Sequence, residues 1–219
     1  MINMNHGIFI VFEGPNRAGK SYAIGQLEDA LNALGGVEVV STREPGGSPL
    51  GEGLRTVLKD PAMKGGAFAS ALVFEGGRKE HLDHLVAPAI ERGAIVLCDR
   101  YYPSTEVFQM ELSGDLECEE KKVLKLIHSS LRQPDLTVFI IPQQNLLDER
   151  MAEAEATEAD AFEGNPMERE AYERFAVEYS RSHLTLVFQP SLANKRADIG
   201  AEVLAYLEAT GFLAQSKAA

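Results

Sequence analysis

Cysteine is scarce in this 219-residue chain, basic charge is in short supply, and no long apolar stretch occurs in it. Each shortage excludes something. Two cysteines, Cys98 and Cys118, cannot build a disulfide framework, and Cys98 closes an apolar strand-like run where a small buried thiol is the usual role. A reducing compartment fits that usage. The 33 acidic residues against 21 basic ones leave a formal charge of −12, which argues against broad binding to nucleic acid or to an anionic membrane. Any anionic substrate must then be held by a few local arginines. No apolar stretch approaches the length of about eighteen residues that a membrane span needs, and Met1-Ile2-Asn3-Met4-Asn5-His6 lacks the charged and apolar regions of a secretion signal. The expected location is the cytoplasm.

What is present is an ordered alternation. A hydrophobic share of 45% is ample for a sizeable core, and one domain spanning 1–219 is expected. Strand-like runs at 8–12, 37–41, 95–98, 136–141 and 184–188 are separated by helix-compatible segments, which predicts an α/β fold with a mainly parallel five-stranded sheet covered by helices on both faces. Ligands of such sheets bind at the carboxyl ends of the strands.

At the end of the first run stands Gly14-Pro15-Asn16-Arg17-Ala18-Gly19-Lys20-Ser21, which completes the pattern G-x-x-x-x-G-K-[ST]. Its setting is right, because Ile24, Leu27, Leu31 and Leu34 follow at helical spacing over 23–34. The glycines allow a tight turn that aims successive N–H groups and a helix N-terminus at a polyphosphate. Lys20 is placed to reach the β/γ-phosphates and Ser21 to ligate Mg²⁺, so ATP with Mg²⁺ is the expected donor.

Two further elements occur in order. Thr42-Arg43-Glu44-Pro45-Gly46-Gly47-Ser48-Pro49-Leu50-Gly51-Glu52 follows the second run, and Asp99-Arg100-Tyr101 follows the third. Together with the phosphate loop they resemble thymidylate kinases, from Gly7 to about Gln109. The resemblance implies the three-layer P-loop NTPase fold with a lid segment, and transfer of the γ-phosphate of ATP to a deoxynucleoside 5′-monophosphate, dTMP first, in deoxynucleotide biosynthesis.

The same resemblance assigns residues. Gly14, Asn16, Arg17, Ala18, Gly19, Lys20, Ser21 and Tyr22 are expected around ATP, with Ser21 and Asp99 at the metal. Asn16, Glu44, Arg55, Phe74, Arg78, Arg100, Thr105, Phe108 and Gln109 are expected around the acceptor, Phe74 stacking on the base and Arg78 donating to its edge. Arg17, Lys20, Asp99 and Arg100 are the expected catalytic groups. A lid is expected at about 152–167, and it contains no Arg or Lys, so Arg17 is expected to clamp the transferring phosphoryl in the manner of family members with arginine in the loop. Should another cation do this, Arg150 and Arg169 flank the lid. A homodimer is implied by the family alone.

The chain also departs from the family pattern. Asn16 stands where an acidic residue is usual, Tyr22 replaces a small hydroxyl residue, Phe108 a tyrosine and Met110 a glycine, and Glu75-Gly76-Gly77 is unusual. These changes cluster at the acceptor side and motivate an alternative acceptor, a 5-substituted or other pyrimidine monophosphate. A non-catalytic nucleotide-binding module is the alternative of another class. His81 and His84 lie three apart on a helix expected over 69–85, but no third ligand of compatible spacing appears, so they are read as surface or helix-packing residues.

Overall fold

Strand β1 (Ile8–Glu13) is buried at every residue, as a strand at the centre of a sheet must be. The computed structural model describes residues 7–60, 62, 65–155, 167–194 and 197–213. From β1 the chain enters α1 (Lys20–Leu34), β2 (Val39–Arg43), α2 (Pro49–Lys59) and α3 (Ala67–His81). After a wide π turn at Leu82–Val86 come α4 (Ala87–Glu91), β3 (Ile95–Asp99) and α5 (Tyr102–Thr105), the last running into a second π segment at Glu106–Leu112. Then follow α6 (Cys118–Ser130), β4 (Leu136–Ile140), α7 (Gln144–Glu155), α8 (Glu168–Tyr179), β5 (Thr185–Phe188) and α9 (Ile199–Ala209).

The five strands pair in the order β2-β3-β1-β4-β5, and every pairing is parallel. Period-two alternation sorts their side chains into two cores. Ile8, Ile10, Phe12, Ile95, Leu97, Leu136, Val138 and Ile140 face Leu27 and Leu31 of α1 and Val203 and Leu207 of α9. Phe9, Val11, Val96, Cys98 and Phe139 face the other way, onto Val86, Ala89, Tyr101, Tyr102, Tyr172 and Tyr179. This is the expected three-layer arrangement.

All five expected strands form, with one shift. The second was expected at 37–41 and lies two residues later, because its ladder starts where Ile95 N–H donates to the Glu38 carbonyl and ends where Arg43 pairs with Asp99. The sheet edge tolerates the polar Ser41 and Thr42 there, so the apolar run was a poor guide to its end. The shift brings Arg43 level with Asp99, and the loop that follows to the carboxyl edge of the sheet. Most of the expected lid, 156–166, lies outside the described residues; 152–155 complete α7, and Met167 precedes α8. Among the described residues no helix is long and apolar enough to cross a membrane.

Candidate active site

Gly14 leaves β1 at φ 145°, where an added Cβ would lie 2.1 Å from the Ile140 carbonyl oxygen. No side chain fits against that neighbouring strand end. The loop ends at Gly19, φ 95°, from which α1 starts with no side-chain cap and no acidic residue in its first turn. Its terminal N–H groups and positive dipole end therefore stay directed at the loop, a ready anion site.

Lys20 folds back over this loop, its Nζ donating to the carbonyls of Gly14 at 3.1 Å and Pro15 at 3.0 Å. Burial, with Arg100 nearby, pulls its pKa down to about 8. Ser21 Oγ donates to Asp99 Oδ2 at 2.7 Å, and Asp99 Oδ1 is buried without a hydrogen-bond partner among the described residues. A hydroxyl and an incompletely satisfied carboxylate at the end of β3 form a hard-oxygen donor set, the kind that suits a magnesium ion.

Arg100 follows Asp99 in the left-handed region at φ 73°. Its Nη1 donates to the Gly14 carbonyl at 3.2 Å, Ser104 Oγ at 3.1 Å and Tyr172 Oη at 3.0 Å, and its Nη2 to Asn16 Oδ1 at 2.8 Å. Beneath it Glu13 is fully buried; desolvation raises its pKa against the opposing pull of Arg100, while Tyr101 N–H and Ser104 Oγ donate to it. Arg100 thus ties the phosphate loop to α5 and α8 and still lines the cavity beside it.

Two cavities open on either side of the loop. One, of about 750 Å³, is lined by Arg17, Ala18, Gly19, Lys20, Ser21 and Tyr22 from the expected donor set, and by Gln26 and Arg150, which were not expected there. The second, of about 580 Å³, is lined by all nine residues expected around the acceptor: Asn16, Glu44, Arg55, Phe74, Arg78, Arg100, Thr105, Phe108 and Gln109. Arg17, Lys20 and Ser21 line both. Gly14 lies beneath the loop rather than in the donor cavity, and Asn16 turns to the acceptor side. Arg17 is exposed with φ 61°, and Arg150 Nη1 donates to the Arg17 carbonyl at 3.1 Å and to that of Ala18 at 2.7 Å. Those two bonds brace the loop from α7.

On the acceptor side, Arg78 is buried and held on three sides. Nε donates to Glu44 Oε2 at 2.6 Å, Nη1 pairs with Glu75, and Nη2 donates to Thr105 Oγ1 at 3.2 Å. Glu44 spends its other oxygen on His81 Nδ1 at 3.0 Å. Arg55 Nη1 reaches the Pro45 carbonyl at 3.1 Å, and the Phe108 ring sits 5.3 Å from the Arg100 guanidinium. Phe74 is half-buried and faces the cavity, outside the packed cores.

Glu168 was missed by sequence reasoning. It opens α8 just beyond the lid, is buried, and accepts from the Asn16 backbone N–H at 2.8 Å and Asn16 Nδ2 at 3.0 Å. Asn16 thus has its amide oxygen taken by Arg100 and its amide nitrogen by Glu168, and a carboxylate stands beside the position where the family usually carries one. The signal available was an acidic residue in the first turn of a helix next to the lid.

The two histidines divide between the two expected roles, surface and packing. His84 is exposed, as expected of a surface residue, but His81 is fully buried and bonds Thr42 Oγ1 at 2.9 Å as well as Glu44. Its ligand atoms lie within 4.8 Å of those of Glu44 and Cys98. Both Glu44 oxygens and both ring nitrogens already have partners, and the Cys98 thiol donates to the Arg100 carbonyl at 3.1 Å, so the cluster is a satisfied polar network bracing the loop after β2.

A phosphate loop between β1 and α1, a carboxylate at the end of β3, and two cavities meeting over one lysine define a P-loop nucleoside monophosphate kinase. The family model for thymidylate kinase matches residues 12–199. The thymidylate kinase of Ectopseudomonas mendocina is 36% identical over 207 residues, covering 93% of this chain and 98% of that protein. That of Albidiferax ferrireducens is 38% identical over 157 residues, 68% of this chain and 72% of the relative. A crystal structure of the thymidylate kinase from Ehrlichia chaffeensis superposes with a TM-score of 0.69 at 25% identity, covering 92% of this chain and 98% of that one. The chain belongs to the thymidylate kinase family.

Proposed function

We propose that this chain transfers the γ-phosphoryl group of ATP to the 5′-phosphate of dTMP, giving dTDP in deoxynucleotide biosynthesis. One observation carries the reading: the donor and acceptor cavities meet at Arg17, Lys20 and Ser21, so two phosphorylated ligands would face each other across that line. ATP lies along the loop and the N-terminus of α1. Ser21 and Asp99 would hold Mg²⁺, which when bound neutralises charge developing on the phosphates.

Lys20 leaves its loop carbonyls for the phosphates. Arg17 reaches the transferring group from the exposed crest of the loop, and Arg100 presents positive charge to the acceptor phosphate. Phe74 stacks on the pyrimidine, Arg78 donates to its edge, and Arg55, Thr105, Phe108 and Gln109 complete the acceptor pocket. The chain acts in the cytoplasm as one domain with a lid at about 152–167, and as a homodimer. Leu50 and Val57 on α2, and Val123 and Leu126 on α6, are exposed apolar side chains available for that association.

The test is ADP release by the purified protein with ATP, Mg²⁺ and a panel of dTMP, dUMP, dCMP and 5-substituted deoxyuridine monophosphates. Turnover with dTMP above the others supports the reading, and ATP binding without turnover on any monophosphate overturns it in favour of a regulatory module. Preference for another pyrimidine is a second reading, favoured by Asn16 and Phe108, which line the acceptor cavity where the family usually carries an acidic residue and a tyrosine.

A further inference from the structure

Behind the base-facing Arg78 lies a chain of ionisable groups that the transfer reaction does not use. Arg78 Nη1 pairs with Glu75 one helical turn earlier on α3, and the same Glu75 oxygen, Oε1, bonds His128 Nε2 of α6 at 3.1 Å. His128 Nδ1 bonds Glu106 Oε1 at 2.9 Å, and the ring stacks on Tyr102 with centroids 5.0 Å apart. Arg78, Glu75 and His128 are each at most 5% exposed. Glu75 Oε2 is buried with no hydrogen-bond partner among the described residues, so this carboxylate is held by one oxygen only.

We propose that Glu75 and His128 are positioning residues for acceptor selectivity: by anchoring Nη1 of Arg78 they fix which edge of its guanidinium the pocket offers to the base. The inference rests on the reading of Arg78 as the base-edge donor. A guanidinium has five N–H donors in a rigid fork, and here three of them are tied to Glu44, Glu75 and Thr105 from three directions. The other two point by geometry and not by chance. Donors of fixed direction favour a ring edge bearing a carbonyl oxygen over one bearing an amino group, which separates thymine from cytosine.

His128 makes this anchor sensitive to charge. Among the described residues, the ionisable groups that face it are Glu75 and Arg78 from α3 and Tyr102 and Glu106 from the segment after β3. Burial opposes the charged ring, but the hydrogen bonds to Glu106 and Glu75 outweigh it and raise its pKa above the ordinary histidine value. As an imidazolium the ring donates to both carboxylates. Once neutral it can donate to one only, and Glu75 is left to pull on Arg78 with a less balanced charge.

The experiment compares kcat/KM for dTMP and dCMP in the full chain, since their ratio cancels the titration of the shared phosphate, from about pH 6 to about pH 9. His128→Gln and Glu75→Gln should each lower the dTMP/dCMP ratio by about fivefold, the effect of losing one modest oriented hydrogen bond, with KM for ATP unchanged. The wild-type ratio should fall at the alkaline end, and His128→Gln should be flat with pH. Glu106→Gln, at the more exposed end of the network, should move the alkaline fall to lower pH, which checks the same point if the buried variants do not fold. Wild-type ratios in folded His128→Gln and Glu75→Gln, with Arg78→Lys shifted, overturn the inference and leave the base-edge reading standing. An unchanged ratio in Arg78→Lys overturns both.

Discussion

Ser21 Oγ donates to Asp99 Oδ2 across 2.7 Å, joining the first turn of α1 to the end of β3, while Asp99 Oδ1 stays buried and unpartnered among the described residues. Replacing Asp99 by Asn keeps the shape and removes the charge that would hold Mg²⁺. Asp99→Asn should lower kcat at saturating substrates by about a hundredfold or more, as loss of a preorganised electrostatic contact does. A rise in the Mg²⁺ concentration giving half-maximal rate should accompany it. Unchanged kcat and Mg²⁺ dependence would remove Asp99 from the metal site.

Arg17 combines a functional and a conformational argument. Its φ of 61° is costly for a residue with a Cβ and free for glycine, so Arg17→Gly should be more stable to thermal unfolding than Arg17→Ala by about 1 kcal/mol. Both variants remove the cation, and both should lose about 3 kcal/mol of transition-state stabilisation for every acceptor. If the two variants keep wild-type kcat while Arg150→Ala loses it, the phosphoryl clamp comes from α7 instead.

Lys20 is already held in place by the loop, with Nζ on the carbonyls of Gly14 and Pro15. Lys20→Ala removes the side-chain donor to the Pro15 carbonyl, leaves that of Gly14 to Arg100 alone, and takes one positive charge from the phosphates. kcat should fall by about 3 kcal/mol or more in barrier terms for dTMP and dCMP alike, so base selectivity should not change. A selectivity change would place Lys20 in a different role.

The short apolar runs over 8–12 and 95–98 were enough to place the central strands, because buried parallel strands are apolar on both faces. The edge strand β2 was legible only approximately, since half-buried edge positions accept serine, threonine and arginine. In the site, the residues that the family resemblance named were legible, and all nine expected acceptor residues line one cavity. Contacts between distant segments were not. Glu168 meets Asn16 across 152 positions, and no local spacing announces such a pair. His81 was read as a packing residue, but its partner Glu44 lies 37 positions away on a loop, so helical spacing could not name it.

The buried network behind Arg78 also predicts how stability depends on pH. Burial works against the Glu75 carboxylate, but Arg78 first and His128 second outweigh it and bring its pKa down to about 2 from an ordinary 4.5. A depressed carboxylate stabilises the fold above its unfolded value and loses that contribution as pH falls through the folded one, so the loss should run from about pH 4.5 to about pH 2. The shift corresponds to about 3 kcal/mol. His128 is shifted upward, so its contribution is complete below about pH 6.5 and is lost as pH rises through the raised folded value. Denaturant unfolding across pH should therefore show His128→Gln losing part of the alkaline decline and Glu75→Gln losing part of the acid one. Parallel curves for wild type and both variants would mean that the two groups titrate in the folded protein as they do in the unfolded chain.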